Sequence, residues 1–271
     1  DENRVNENLD GLLEEVKELN PDIILFQEID KSSSRSYKIN EYNKFKGELK
    51  NYSFSFANNF KVAFLPYPVP PIGKVDSGIA TASVFGVKSA ERIQLPIPFS
   101  WPMRMANLKR CVTVSRIPVE NSEKELVIFN LHLEAYDSGE GKIEQTKMLA
   151  KLIGAEAEKG NYVIAGGDFN QIFSNADKEA FKVNDGMWTP GEIDTSAFGE
   201  SFKFLMDEST PSCRSLDKAY KGADKETFQY YLIDGFIVSG NIEVKTLKTL
   251  DLDFKYSDHN PVLLKAILKG E

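Results

Sequence analysis

The sequence predicts an α/β sandwich, two packed sheets with helices on the outside. Three observations carry this. Short apolar runs suited to strands recur from Asp22 to Leu268. Gly, Pro, Asn or Ser punctuate most of the gaps. Only two stretches carry a long helical stripe. Strict βα alternation is absent, which disfavours a barrel of repeated βα units. With 271 residues, 41% of them apolar and 11% aromatic, the chain can bury a full core and is not disordered.

The chain opens with an amphipathic helix, in which Val5, Leu9, Leu12, Leu13, Val16 and Leu19 share one face. Asn20-Pro21 ends it, because the residue before Pro avoids helical geometry. Asp22–Glu28 then reads as a buried strand. Further strands are expected at Tyr52–Ala57, Gly78–Phe85, Cys111–Ile117, Glu125–Leu131, Tyr162–Ala165, Tyr230–Val238, Val244–Leu247 and Pro261–Leu268. A second helix is expected over Lys142–Glu158, closed by Gly160, and a short third near Ala176–Lys182.

The composition excludes several functions. Two Cys and two His, His132 and His259, cannot build a disulfide scaffold, a four-Cys zinc site or a His-rich metal site. Any metal is therefore held mostly by oxygen, which points to Mg²⁺, Mn²⁺ or Ca²⁺. A net charge of −8 argues against a broad phosphate-coating surface for duplex DNA, though not against a local basic patch. No apolar run approaches the roughly 18 residues of a transmembrane segment. No signal peptide is visible, but the chain starts at Asp1 without Met. A secreted or cell-surface location stays open if a signal was removed upstream.

Several polar residues follow apolar strands: Glu28 after Ile-Ile-Leu-Phe-Gln, His132 after Val-Ile-Phe-Asn-Leu, and Asp168 and Asn170 after Val-Ile-Ala-Gly-Gly. Asp258 and His259 precede the run that starts at Val262. Strand ends in a layered fold converge on one rim, so these residues can share a cleft. Gly166-Gly167 would permit a tight turn and close ligand approach. Asp234 is expected inside a strand, where a buried carboxylate needs a partner; His259 is the natural one.

These stretches resemble the endonuclease/exonuclease/phosphatase superfamily. The motifs are Pro21-Asp-Ile-Ile-Leu-Phe-Gln-Glu28, Asn130-Leu-His-Leu133, Gly167-Asp-Phe-Asn170, Leu232-Ile-Asp-Gly-Phe236 and Ser257-Asp-His-Asn-Pro261, in the family's order. The resemblance implies a four-layer α/β/β/α sandwich of two packed mixed β-sheets with outer helices. It implies one domain over residues 1–271, whose usual first strand, carrying an Asn ligand, is expected upstream of Asp1.

The resemblance also implies roles. Glu28 binds metal, and Asp258 lies at or near it. Asp168 orients or deprotonates the attacking water, and Asn170 positions water and phosphate. Asp234 and His259 form a dyad that acts as base or phosphate stabiliser, and His132 contacts the phosphate. Arg110 and Arg214 are candidate substrate contacts, each weighed against a plain solvated cation. Cys111 is expected as a small buried hydrophobe and Cys213 as a loop thiol. Two Pro-rich loops, Phe64–Pro71 and Leu95–Met103, either cover the sandwich end or form a hydrophobic lip with Phe99 and Trp101 at its edge.

The leading expectation is a monomeric, Mg²⁺-dependent phosphoesterase (Mn²⁺ or Ca²⁺ also fitting) that acts on a phosphodiester or phosphomonoester. A small molecule or lipid headgroup, as in sphingomyelinase-type members, is favoured over duplex DNA. The alternatives are a nuclease of the same superfamily, a two-carboxylate glycoside hydrolase and a non-catalytic binding protein.

Overall fold

The computed structural model of the protein describes residues 1–67, 69–101, 107–136 and 139–270. In chain order the elements are α1 (Glu2–Leu19), β1 (Ile23–Asp30), α2 (Glu41–Glu48), β2 (Ser53–Leu65), β3 (Gly73–Ser83), β4 (Ser89–Gln94), β5 (Cys111–Pro118) and β6 (Glu125–His132). They continue with α3 (Glu140–Glu158), β7 (Tyr162–Asp168), β8 (Gln171–Phe173), β9 (Gly191–Ile193), β10 (Phe202–Leu205), β11 (Cys213–Arg214), β12 (Tyr230–Tyr231), β13 (Asp234–Ser239), β14 (Ile242–Thr249) and β15 (Val262–Leu268).

Two layers of sheet pack face to face. One is six-stranded, in the order β10-β13-β7-β6-β5-β4, and is mixed because β6 and β7 run parallel with α3 as their connection. The other is an antiparallel sheet of order β1-β3-β2, with the β14–β15 hairpin beside it against β13. The second layer is thus a three-stranded sheet plus a separate hairpin rather than one continuous mixed sheet. α3 covers the outer face of the six-stranded sheet, while α1 and α2 cover that of the β1–β3–β2 sheet.

Strand alternation sorts the core. In β6, Val127, Phe129 and Leu131 point to the α3 side, with Leu149 and Ile153 of the helix. Leu126 and Ile128 point to the space between the sheets. β1 alternates likewise: Ile24 and Phe26 meet α1 and α2, and Ile23 and Leu25 meet the other sheet. Asn130 continues the inner face of β6. Gln27 Nε2–H donates to its Oδ1 at 2.9 Å, and its own amide donates to Ala80 O at 2.9 Å. This buried link joins the sheets next to Glu28.

The ends of α1 follow the sequence. The Asp1 carboxylate accepts from Arg4 N–H, and Asn20 closes the helix with φ 43°. Gly11 is required by close approach: a Cβ there would lie 2.2 Å from the Tyr256 ring.

Four expectations need correction. Ala176–Lys182 forms turns, because the Asp177 carboxylate takes the Glu179 N–H and competes with helix. Tyr230–Val238 breaks at Leu232–Ile233, so Asp234 opens β13 rather than lying mid-strand. Cys213 is a buried strand residue, not a loop thiol; it and Cys111, buried as expected, are both free. Gly166 and Gly167 lie inside β7 and make no turn for a ligand. A Cβ on Gly166 would strike Phe236 at 2.5 Å, and on Gly167 (φ 136°) the Leu131 carbonyl at 2.1 Å.

Candidate active site

Sheet register assembles the centre. In the β6–β7 ladder His132 lies opposite Asp168, and in the β7–β13 ladder Asp234 lies opposite Asp168. Three strand ends therefore place His132, Asp168 and Asp234 in one row across the rim. His259 joins from the C-terminal side through a bridge between Cys213 and His259.

Asp168 is the hub. His132 Nε2 lies 3.1 Å from its Oδ2. Asn170 donates its backbone N–H to Oδ1 at 2.8 Å and its amide to Oδ2 at 3.2 Å. Burial opposes ionisation of Asp168, but His132, His259 and the Asn170 N–H outweigh it and hold the carboxyl at about 2. Asn170 adopts φ 51° and also donates to Leu133 O at 3.0 Å, so its amide orientation is fixed.

Asp234 and His259 make the expected dyad, Oδ2 to Nδ1 at 2.8 Å. Burial works against the imidazolium, yet the Asp234 carboxylate raises His259 well above its ordinary value. His259 Nε2 lies 4.0 Å from Asp168 Oδ2. Ser212, absent from the sequence reading, holds this arrangement. Its Oγ accepts from the N–H groups of Ile233 and Asp234, and its carbonyl accepts from Asn260 N–H. A lone Ser before Cys213 carries no signal of that in the sequence.

Glu28 sits where β1 is bulged: the ladder to β3 shifts between Phe26 and Ile29, and Glu28 has φ 55°. A bulge re-aims one side chain off the strand's alternation. Glu28 Oε2 accepts from Arg35 Nη1 at 2.8 Å, while Oε1 has no hydrogen bond among the described residues. The surrounding protein works against its ionisation, but Arg35, His132 and Arg110 outweigh this and hold the carboxyl at about 2. An ionised carboxylate with a free oxygen and 55% side-chain exposure has the donor chemistry of a hard divalent cation.

Among the described residues Asp168, Asp234 and His259 also form a group of potential ligands, whose atoms lie within 4.8 Å of one another. Asp258 is half-buried; its carbonyl accepts from Arg214 N–H, and its carboxylate meets Ser257 Oγ at 3.4 Å. His132 is buried and bonded to Asp168, with Nδ1 lacking a partner among the described residues. The Nε2 contact fixes the orientation of the Asp168 carboxylate.

Arg110 is 3% exposed, yet it makes no side-chain hydrogen bond among the described residues; its Nε lies 3.9 Å from Glu134. Arg214 is no solvated cation. Its guanidinium stacks 4.5 Å from the Tyr220 ring and donates to Ser215 O at 2.9 Å. Trp101 is 74% exposed, and no described bond or ring contact joins it to the row. Pro68, Pro102 and Met103 of the Pro-rich loops lie outside the described residues. Tyr136 went unremarked in the sequence. It is 75% exposed, and the charges of Glu28, Arg110 and Asp168 act on its phenol. Buried Glu134 presents it, Oε1 accepting from the Ala135 and Tyr136 N–H groups.

The fold and the acid–imidazole row at its rim are those of the endonuclease/exonuclease/phosphatase superfamily, whose members are hydrolases that act on phosphate esters. Within that class the chain belongs to the endonuclease/exonuclease/phosphatase family, whose model matches residues 1–259. Solved structures share the fold. An endonuclease/exonuclease/phosphatase from Beutenbergia cavernae is 16% identical with TM-score 0.69, over 97% of this chain and 66% of that one. The mannosyl-6-phosphatase of Bacteroides thetaiotaomicron is 16% identical with TM-score 0.61, over 97% and 91%. D. rerio TDP2, complexed with a single-strand DNA product, is 13% identical with TM-score 0.64, over 97% and 92%. No curated protein matches the chain in sequence. No helix among the described residues is long and apolar enough to cross a membrane.

Proposed function

We propose that the chain is a divalent-cation-dependent phosphoesterase that hydrolyses a phosphodiester or phosphomonoester by direct attack of water. The supporting observation is the row His132–Asp168–Asp234 with His259 above it. Within it the Asp168 carboxylate is held ionised and the His259 imidazole is held protonated.

Asp168 aligns the water by accepting its hydrogen bond, and Asn170 orients it from the same turn. A carboxylate held at about 2 is a weak base. Its proton uptake therefore comes late, when the forming O–P bond has acidified the water. His259, kept cationic by Asp234, donates from Nε2 to a phosphoryl oxygen and stabilises the charge that develops there. Arg110, a buried guanidinium with unspent donors, binds a second phosphoryl oxygen. Glu28 would hold Mg²⁺ or Mn²⁺ through Oε1, with Asp258 as a neighbouring carboxylate. When bound, the cation supplies Lewis-acid polarisation of the phosphate.

The net charge of −8 favours a small phosphoester or a lipid headgroup over duplex DNA. Trp101, Tyr136 and Arg214 are the side chains that meet the non-reacting part of such a substrate. The single-strand DNA product in the D. rerio relative keeps a nuclease as the second reading. The test is a panel with Mg²⁺: bis-aryl phosphate, aryl monophosphate, a sugar phosphate, sphingomyelin, inositol phosphates and single-stranded DNA. Turnover lost in EDTA, restored by Mg²⁺ and abolished in Asp168→Ala supports the proposal. Full activity in EDTA overturns it.

A further inference from the structure

The loop after β1 holds a guanidinium that no motif covers. Arg35 binds Asp30 through two parallel bonds, Nε to Oδ2 at 3.0 Å and Nη2 to Oδ1 at 3.1 Å. Its third nitrogen, Nη1, reaches Glu28 Oε2 at 2.8 Å. Asp30 is 2% exposed, and its N–H donates to Glu41 Oε2 at 2.8 Å. The loop itself is fastened to β3. Lys31 N–H donates to Asp76 O and Ser34 N–H to Lys74 O, each at 2.8 Å, and Asp76 N–H donates to Ser33 Oγ at 2.9 Å. Arg35 is therefore anchored independently of Glu28.

Resting on the reading that Glu28 holds the cation, we propose that Arg35 is a positioning residue that selects a small octahedral cation over Ca²⁺. The reason is geometric. Arg35 occupies Oε2 and leaves Glu28 one free oxygen. Mg²⁺ and Mn²⁺ accept a single carboxylate oxygen and complete their octahedron with water. Ca²⁺ takes more oxygens at longer range, commonly both of one carboxylate. To offer both, Glu28 must give up a charge-assisted bond to a fork that cannot follow it, because the fork is bound twice to a buried carboxylate. The bulged backbone at Glu28 limits its swing further.

The test is calorimetric titration of the full chain with Mn²⁺ and with Ca²⁺. The variants are Glu28→Gln, Arg35→Lys, and Asp30→Asn combined with Arg35→Gln. The double change removes one charge of each sign, so net charge is constant and only the clamp is lost. The wild type is expected to bind Mn²⁺ more tightly than Ca²⁺. In the double variant the Ca²⁺ to Mn²⁺ affinity ratio should rise at least about tenfold, because Oε2 is released. Arg35→Lys, which keeps the charge but not the fork, should move the ratio the same way by about threefold or more. Far-UV circular dichroism and a cooperative melt establish folding, and if the double variant does not fold, Arg35→Lys decides alone. An unchanged ratio in folded variants overturns the role of Arg35. If Glu28→Gln binds both ions as the wild type does, or the wild type binds neither, the cation reading of Glu28 fails and this inference with it. If Glu28→Gln abolishes binding and the ratio stays constant, only the role of Arg35 falls.

Discussion

Asp234 keeps the proton on His259, and that proton is what the imidazole brings to catalysis. With a folded value above its unfolded one, His259 contributes stability that is complete below about 6.5 and is lost as pH rises through the raised value. Asp234→Asn should return His259 to a lower titration point, read by NMR of the imidazole, and should lower kcat about a hundredfold or more. An unmoved titration curve would remove the dyad from the mechanism. The dyad was legible from sequence, because Asp234 and His259 each stand in a recognisable motif. Arg35, Ser212 and Tyr136 were not. Ser212 acts across the fold and Arg35 and Tyr136 through bonds within their own loops, and a single Arg, Ser or Tyr in a loop has no local pattern.

At the scale of elements, α2 and α3 carry charge that responds to pH. Glu41, the first residue of α2, is pushed up to about 7, mainly by burial, while the Asp30 N–H pulls the other way. The unfolded chain releases this proton near 4.5, so stability falls as pH rises from about 4.5 to about 7. Glu41→Gln keeps an acceptor for Asp30 N–H. In EDTA it should match the wild type at pH 4 and melt a few degrees higher at pH 8, about the size expected for 1–2 kcal/mol. Parallel melting curves would refute this. Glu156 has the opposite sign. Arg116, Lys159 and Asn161 hold it at about 2 at the end of α3, tying the helix to β5. Its stabilisation is full above about 4.5 and is lost as pH falls toward 2. Glu156→Gln should therefore destabilise by about 1–3 kcal/mol at pH 7 in denaturant melts, with the gap closing below pH 3. Elements were read best where burial imposed a period. β5, β6 and β7 were found within a few residues, whereas β4 was missed because Ser89–Gln94 is an edge strand with mostly exposed, polar side chains. α2 was missed because it is short and buries only Phe45.

At the scale of the whole molecule, one buried amide couples the two sheets and so couples Glu28 to the Asp168 row. Asn130 bonds to Gln27, Ala80 O and Thr81 across the interface. Asn130→Leu should cost about 1–3 kcal/mol, because it removes the Asn130 donor from the buried Ala80 carbonyl and leaves the Gln27 amide only Leu25 O. Activity should fall with it, since Glu28 would lose its register to His132. A variant with wild-type melting and wild-type turnover would show that the sheets are held in register by packing alone. The buried strands, the apolar faces and the motif residues were determined by the sequence, since hydrophobic period and turn chemistry are local. Only the tertiary structure decided which of them meet. Ladder register set His132, Asp168 and Asp234 in line, a bulge turned Glu28 off its strand's alternation, and a loop fastened to β3 gave Arg35 to Glu28. These arrangements rest on pairing between strands far apart in the chain, and their free energy exists only once those strands have paired and packed.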